Sequence, residues 1–324
     1  MTAMNHVMAL EAVRVAELAA LAASKLIGLG DEKDADQAAV DAMRTGLNEM
    51  AIDGRVVIGE GERDEAPMLF IGEEVGSGGP KVDIALDPLE GTTITAKAMA
   101  GGLAVLALAD HGNFLHAPDV YMDKIGVGGG LPAGVVDLDN TTAVNLQNVA
   151  KAKGCDVSDL VACILDRPRH EELIAKTREA GARIALITDG DVSGVIATTV
   201  ASSGIDIYMG SGGAPEGVLA AAALRCIGGQ FQGRLIFRND DERGRAHRIG
   251  ITDLNRKYTM TELASGDVIF VATGVTSGTM LRGVKRIPGG VETQSISMVS
   301  ATGTVRTIEA THRFDTNPRL ARFA

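Results

Sequence analysis

The chain has 324 residues, 45% of them apolar and 23% charged, with 31 Lys plus Arg against 42 Asp plus Glu and a net charge of −11. That apolar share excludes a disordered chain, and the acidic balance excludes a nucleic-acid binder working through a broad basic surface. The 40 glycines follow no triplet period, so collagen is excluded too. The length suits one large or two medium domains around a substantial core. Cysteine occurs only at Cys155, Cys163 and Cys226. This gives neither a disulfide framework nor a paired zinc motif, and a reducing compartment is expected. No Lys or Arg precedes Arg14, so the start does not read as a secretory signal. The apolar runs Leu103–Ala109 and Val218–Leu224 are too short for a membrane span. With 7 Phe, 3 Tyr and no Trp, base stacking finds little support.

In chain order, Ala9–Ile27 reads as an amphipathic helix stopped by Gly28 and Gly30, and Asp34–Met50 as a second. Arg55–Ile58 reads as a short strand entering Gly59-Glu60-Gly61-Glu62. Val82–Leu86 is a strand ending in Asp87-Pro88-Leu89-Glu90-Gly91-Thr92. Leu103–Ala109 is a buried strand, followed by a hairpin turn at Asp110–Asn113 into Phe114-Leu115. The second half alternates. Ala162–Leu165, Ile184–Ile187 and Ile205–Met209 read as strands, and Arg169–Ala180, Val192–Ser202 and Pro215–Ile227 as helices. Gly210–Gly213 reads as a glycine loop, and Ile269–Thr273, Ser295–Val299 and Thr304–Ile308 as late strands. The βαβα rhythm predicts a layered α/β fold. The expected division is residues 1–150, 151–313 and a tail, 314–324.

The strongest chemical signal is Asp87–Thr92. A strand delivers Asp87 at its C-terminal end, and Pro88 stops the ladder and bends the chain. Glu90 then returns close to Asp87. Gly91 lets backbone approach a ligand, and Thr92 offers a hydroxyl beside free N–H groups at a helix start. Two carboxylates on one turn call for a cation between them, and hard oxygen donors suit Mg²⁺ or Mn²⁺. Glu60 and Glu62 leave a strand in the same way, although by residue type they equally suit a solvated acidic loop. Asp36 alone is one Asp on a helix.

These residues carry a resemblance. Asp36, Val57–Met68, Asp87–Thr92 and Gly212–Gly217 closely resemble the class II fructose-1,6-bisphosphatases of bacteria, in the same order, with similarity reaching about Arg313. That family belongs to the metal-dependent, lithium-sensitive sugar and inositol phosphatases. Glu90 where that superfamily usually has Asp, and the lack of a Trp-Asp pair, point to class II. The resemblance implies an αβαβα sandwich and metal ligation by Asp36, Glu60, Asp87, Glu90 and Glu216, with Glu62 behind them. It implies two ions, Mg²⁺ or Mn²⁺. It implies substrate contacts from Glu90, Gly91, Thr92, Tyr121, Arg167, Pro168, Arg169, Asp189, Gly190, Asp191 and Gly213. Thr92, Asp87 and Glu60 would carry the chemistry. The implied enzyme is a cytoplasmic phosphoric monoester hydrolase of gluconeogenesis, with a sugar bisphosphate as partner, no nucleic acid, no membrane, and a dimeric or tetrameric assembly.

By residue type, Arg167-Pro168-Arg169-His170 is a stiffened pair of guanidinium groups suited to phosphate. Arg169 equally suits a helix start, Tyr121 a core position, and His170 a surface or capping residue. Gly126–Gly130 invites a dinucleotide reading but lacks the acidic strand end that reading needs, and Pro132 follows at once. Two other functions compete. Ile184–Ser193 looks like an apolar strand leading to the DxD of haloacid-dehalogenase phosphatases, with Asp189 as nucleophile. The alternative outside catalysis is a metal-dependent sensor of sugar phosphate. The first leaves Glu60, Asp87 and Glu90 without a role, and the complete acidic set with Thr92 argues against the second.

Overall fold

The computed structural model describes residues 4–60, 69–316 and 323. Glu62 and the stretch to Met68 lie outside the described residues. So does most of the expected tail.

The chain begins with two helices. Asn5 caps the first, α1 (His6–Ser24), its side chain accepting from the N–H groups of Val7 and Met8. Asp31 caps the second, α2 (Glu32–Glu49), by accepting from Asp34 N–H at 3.0 Å. Then come β1 (Asp53–Ile58), β2 (Glu74–Val75), β3 (Lys81–Glu90), the single-turn helix α3 (Thr92–Ala96) and β4 (Leu103–Asp110). An inserted run follows: β5 (Tyr121–Val127), α4 (Thr142–Lys153), β6 (Val161–Leu165), α5 (Glu171–Glu179) and β7 (Arg183–Ile187). It continues with α6 (Asp191–Ala197), β8 (Ile207–Gly213), α7 (Ala214–Ile227), β9 (Gln230–Ile236), α8 (Asp240–Arg248), β10 (Lys257–Thr259) and α9 (Met260–Leu263). The chain closes with β11 (Val268–Gly274), β12 (Lys285–Ile287), β13 (Gly290–Val299) and β14 (Thr304–Arg313).

Contacts divide the chain into two units, Met1–Phe114 with Gly266–Ala324, and Leu115–Ser265. The boundary expected near residue 150 falls inside α4. In the first unit the sheet runs β12-β13-β11-β4-β3-β1-β2, with β14 on β13. Among the described residues of this unit, β1 and β3 pair in parallel, as do Glu60 and Phe70 in an isolated bridge, and the other strand pairings are antiparallel. α1 lies against β3, β4, β11 and β13, and α2 against α1 and β3. Their buried faces are largely alanine (Ala12, Ala16, Ala19, Ala35, Ala39) and meet Ile84, Leu106 and Val271 of the sheet in one core. Small side chains let helix and sheet approach closely while the larger strand residues fill the space.

In the second unit the order is β10-β9-β5-β8-β6-β7, with β6 parallel to β7 and β8. Ile125, Val127, Ile207 and Met209 share a core with Leu146 and Val149 of α4 and Ile174 of α5. Tyr208, pointing the other way by strand alternation, meets Gly194 of α6, and α7 packs on α6, β5, β8 and β9. Helices therefore cover both faces of this sheet, and the expected α/β layering holds.

Three local expectations change. Gly210–Gly213 is the end of β8 and not a loop. The turn after β4 forms, but Phe114-Leu115 makes only an isolated bridge and no hairpin strand. The helix expected to reach Ser202 ends at Ala197. No helix among the described residues is long and apolar enough to cross a membrane.

Candidate active site

In the first unit, the parallel register sets Ile58 beside Ala85. That pairing ends there, after a slip between Val56 and Ile58, and Glu60 just beyond it makes an isolated parallel bridge with Phe70, its N–H donating to Leu69 O at 3.1 Å. The β3–β4 ladder then slips: Asp87 pairs with Val105 and Glu90 with Leu103, so β3 spends one residue more than β4. Pro88, which has no N–H to donate, sits in that bulge. Leu89 N–H turns back onto Asp87 Oδ1 at 3.0 Å. Glu90 is thereby carried inward and is 4% exposed. Gly91, at φ +92°, makes a corner that a side chain would strain, and α3 begins at Thr92 with its first bond from Thr95 N–H to Gly91 O. Thr92 and its neighbours thus start a helix whose first N–H groups have no intrahelical acceptor.

Asp36 belongs to the second turn of α2, and α2 packs on α3. The loop before α2 is tied to the end of α3 by Gly28 N–H to Thr95 O and Gly30 N–H to Ala96 O, both 3.0 Å. Burial pushes the Asp36 carboxyl up to about 6. A half-buried acid held against its preference for water is where a cation is worth most. Asp36, Glu60, Asp87 and Glu90 offer carboxylate oxygen only, which fits a hard divalent ion. Among the described residues, no three His, Cys, Asp or Glu side chains come together as a metal cage.

In the second unit, Tyr121 opens β5 with two guanidinium groups over its ring, Arg169 at 4.9 Å and Arg238 at 5.0 Å. Arg169 donates from Nε and Nη2 to Ser211 O, at 3.0 and 2.8 Å. Arg238 is paired with buried Glu242, its Nε donating to Oε1 at 2.8 Å. Arg167 is half-buried ahead of a 3-10 turn begun by exposed Pro168. His170 is not a surface residue: it is 3% exposed, its Nδ1–H donates to Leu165 O, and its Nε2 accepts from Ser211 N–H, each at 2.8 Å. It braces the end of β6 against β8, and desolvation lowers its pKa, in keeping with a neutral ring.

Asp189, Gly190 and Asp191 form the turn from β7 into α6. Asp191 is buried and accepts from Lys124 Nζ at 2.5 Å. Glu216 follows Pro215 in the first turn of α7. Burial, followed by the repulsion of Asp191, pushes its carboxyl up, against the opposing pull of Lys124 and its own backbone N–H. The glycines of β8 explain themselves by what occupies their Cβ space. A Cβ on Gly212 would lie 2.0 Å from Asp191 Oδ2, and one on Gly213 would lie 2.0 Å from Glu216 Oε2. Gly210, at φ +144°, faces the His170 ring.

The structure thus brings Tyr121, Arg169 and Ser211 together, and Asp191 with Glu216 around Lys124. Sequence reasoning gave no role to Lys124 or Arg238. A lysine two residues after Met122, on the buried side of a strand by alternation, was the signal for the first; Arg238 sits outside any motif and left none. The haloacid-dehalogenase alternative meets an obstacle: Asp189 follows β7, the edge strand of its sheet, whose residues are half-buried or exposed.

Acidic strand ends beside a free helix start, and an arginine-flanked tyrosine, are parts for handling a phosphate ester. Comparison with known proteins agrees. Residues 6–312 match the family described as bacterial fructose-1,6-bisphosphatase, glpX-encoded. A protein of Synechococcus sp. strain JA-3-3Ab, named D-fructose 1,6-bisphosphatase class 2/sedoheptulose 1,7-bisphosphatase, is 44% identical over 96% of this chain and 97% of its own. One of the same name from Synechococcus elongatus is 43% identical over 96% and 98%. The chain belongs to the bacterial, glpX-type fructose-1,6-bisphosphatase family, a metal-dependent one, and is a phosphatase of carbohydrate metabolism whose substrate is a sugar bisphosphate.

Proposed function

We propose that the chain removes the 1-phosphate of fructose 1,6-bisphosphate by direct in-line attack of water, and that Asp36, Glu60, Asp87, Glu90 and Glu216 hold two divalent ions, Mg²⁺ or Mn²⁺. The observation that carries this reading is the bulged end of β3, which buries Glu90, turns Leu89 N–H back onto Asp87 and leads into the helix start at Thr92. When bound, the ions supply positive charge against the phosphate oxygens and acidify water.

The chain's own groups do the rest. Thr92 Oγ1 orients the attacking water, and the carboxylates of Glu60 and Asp87 accept its proton. The N–H groups at the start of α3 hold phosphate oxygens; in a helix this short they act as donors and not through a summed dipole. Arg167 and Arg169 hold the distal phosphate, Arg169 already oriented by Ser211 O and the Tyr121 ring. Pro168 stiffens that turn. Asp189, Gly190, Asp191 and the Gly213 backbone take the sugar. The same contacts serve a sugar one carbon longer, so sedoheptulose 1,7-bisphosphate is a second substrate. The setting is gluconeogenesis in the cytoplasm, and the working form is a dimer or tetramer.

The test is release of phosphate from fructose 1,6-bisphosphate with Mn²⁺, with fructose 6-phosphate identified as the co-product. No release with either ion, or release of the 6-phosphate, would overturn the proposal. Inversion at a chiral phosphorus is expected, and retention would restore the Asp189 phosphoenzyme.

A further inference from the structure

Lys124 is the most deeply buried cation of the second unit, 1% exposed on β5. Its cross-strand partners are both glycine, Gly210 on β8 and Gly233 on β9. More space is left by Gly212, whose Cβ would lie 3.1 Å from Lys124 Nζ, and by Gly217, whose Cβ would lie 3.6 Å from Lys124 Cε. Gly212 of β8 and Gly217 of α7 thus border the end of the lysine, while the space at Gly210 goes to the His170 ring and that at Gly233 to Met122. The ammonium donates to Asp191 Oδ2 at 2.5 Å, and Asp191 is itself 6% exposed. Among the described residues, no hydrogen bond reaches the other oxygen of Asp191. Burying such a pair is costly, so it is poor evidence of a device for stability alone.

The geometry assigns Lys124 a place as a positioning residue for sugar recognition: it fixes one oxygen of Asp191 and leaves the other to accept from a sugar hydroxyl. This rests on the reading that Asp191 contacts the sugar. It adds a residue that does not touch substrate and separates recognition of the sugar from recognition of phosphate. Lys124→Met keeps the apolar stem and removes the ammonium. A pre-oriented charge-assisted acceptor is then lost, while the groups proposed to hold phosphate, Arg167, Arg169 and the start of α3, are unchanged.

The test is calorimetric binding to the Mn²⁺-loaded chain, with fructose 6-phosphate and inorganic phosphate as separate probes. Lys124→Met is expected to weaken fructose 6-phosphate about tenfold to a hundredfold and phosphate by less than about twofold. Asp191→Asn should match it, and the double variant should be no worse than either single. The double variant also removes both charges, so it keeps the test alive if Lys124→Met fails to fold with Asp191 orphaned. Unchanged binding of fructose 6-phosphate in a folded variant overturns the inference. So does equal weakening of both probes, or additivity in the double variant. If the wild-type chain does not bind fructose 6-phosphate, the reading of the site fails first and this inference with it, a failure seen without any variant.

Discussion

Gly213→Ala separates stability from chemistry at the α7 side of the site. Gly213 has φ −62° and ψ 143°, which alanine adopts without strain. Its backbone effect is therefore stabilising by about 0.4–1 kcal/mol through the unfolded chain. The new Cβ would stand 2.0 Å from Glu216 Oε2 where ordinary contact begins at 3.4 Å, so the carboxylate must move by about 1.4 Å. The displaced atoms are the end of a flexible side chain, and overpacking costs about 1–3 kcal/mol. The two effects offset to about 2 kcal/mol or less, a shift of a few degrees in Tm. A misplacement near 1 Å at a reacting centre costs about a hundredfold in rate. Phosphate release measured against Mn²⁺ concentration should show that loss and a half-saturation moved to higher metal, with Tm nearly unchanged. Wild-type activity and an unmoved metal curve would refute the placement of Glu216 as a ligand. A collapse of Tm would show that Gly213 serves packing alone.

Asp87→Asn and Glu90→Gln should each lower turnover by orders of magnitude with little change in the thermal transition; near-normal activity in either would contradict the acidic centre. Arg169→Ala loses the stack on Tyr121 and both bonds to Ser211 O, and should raise KM about tenfold or more with a smaller change in kcat, read from steady-state kinetics. Removing metal with a chelator should abolish activity while the far-ultraviolet dichroism stays native, and Mg²⁺ or Mn²⁺ should restore it. Glu17, buried on α1 and accepting from Thr293 Oγ1 at 3.0 Å, is pushed by burial from 4.5 up to about 6. The folded chain holds that proton more tightly than the unfolded one, so the contribution is complete below pH 4.5 and is lost as pH rises through about 6. Glu17→Gln should therefore gain up to about 2 kcal/mol over wild type in denaturant titrations at pH 8 and nothing at pH 4; equal stability at both would refute this.

The acidic end of β3 was legible because its residue types match their place: a strand stop, a proline bulge, a second acid and a helix start. β9 was legible in principle, since Gln230–Ile236 alternates between polar and apolar residues. β5 was not, because Lys124 is a charge facing inward and its reason lies in Asp191, distant in sequence. The glycine run of β8 read as a loop because glycine breaks strands in general. There it clears room for His170, Asp191 and Glu216, a fact of packing that no local pattern carries. His170 read as a surface or capping residue for the same reason, its hydrogen-bond partners being backbone groups of two strands. α8 escaped notice because Asp240–Arg248 is almost wholly charged and lacks an apolar stripe.

Manganese stoichiometry, measured by equilibrium binding with phosphate present, tests the centre of the account most directly. Two ions per wild-type chain are expected, with loss or marked weakening of at least one in each of Asp36→Asn, Glu60→Gln, Asp87→Asn, Glu90→Gln and Glu216→Gln. Five folded variants that bind manganese as the wild type does would show that these acids do not hold the metal.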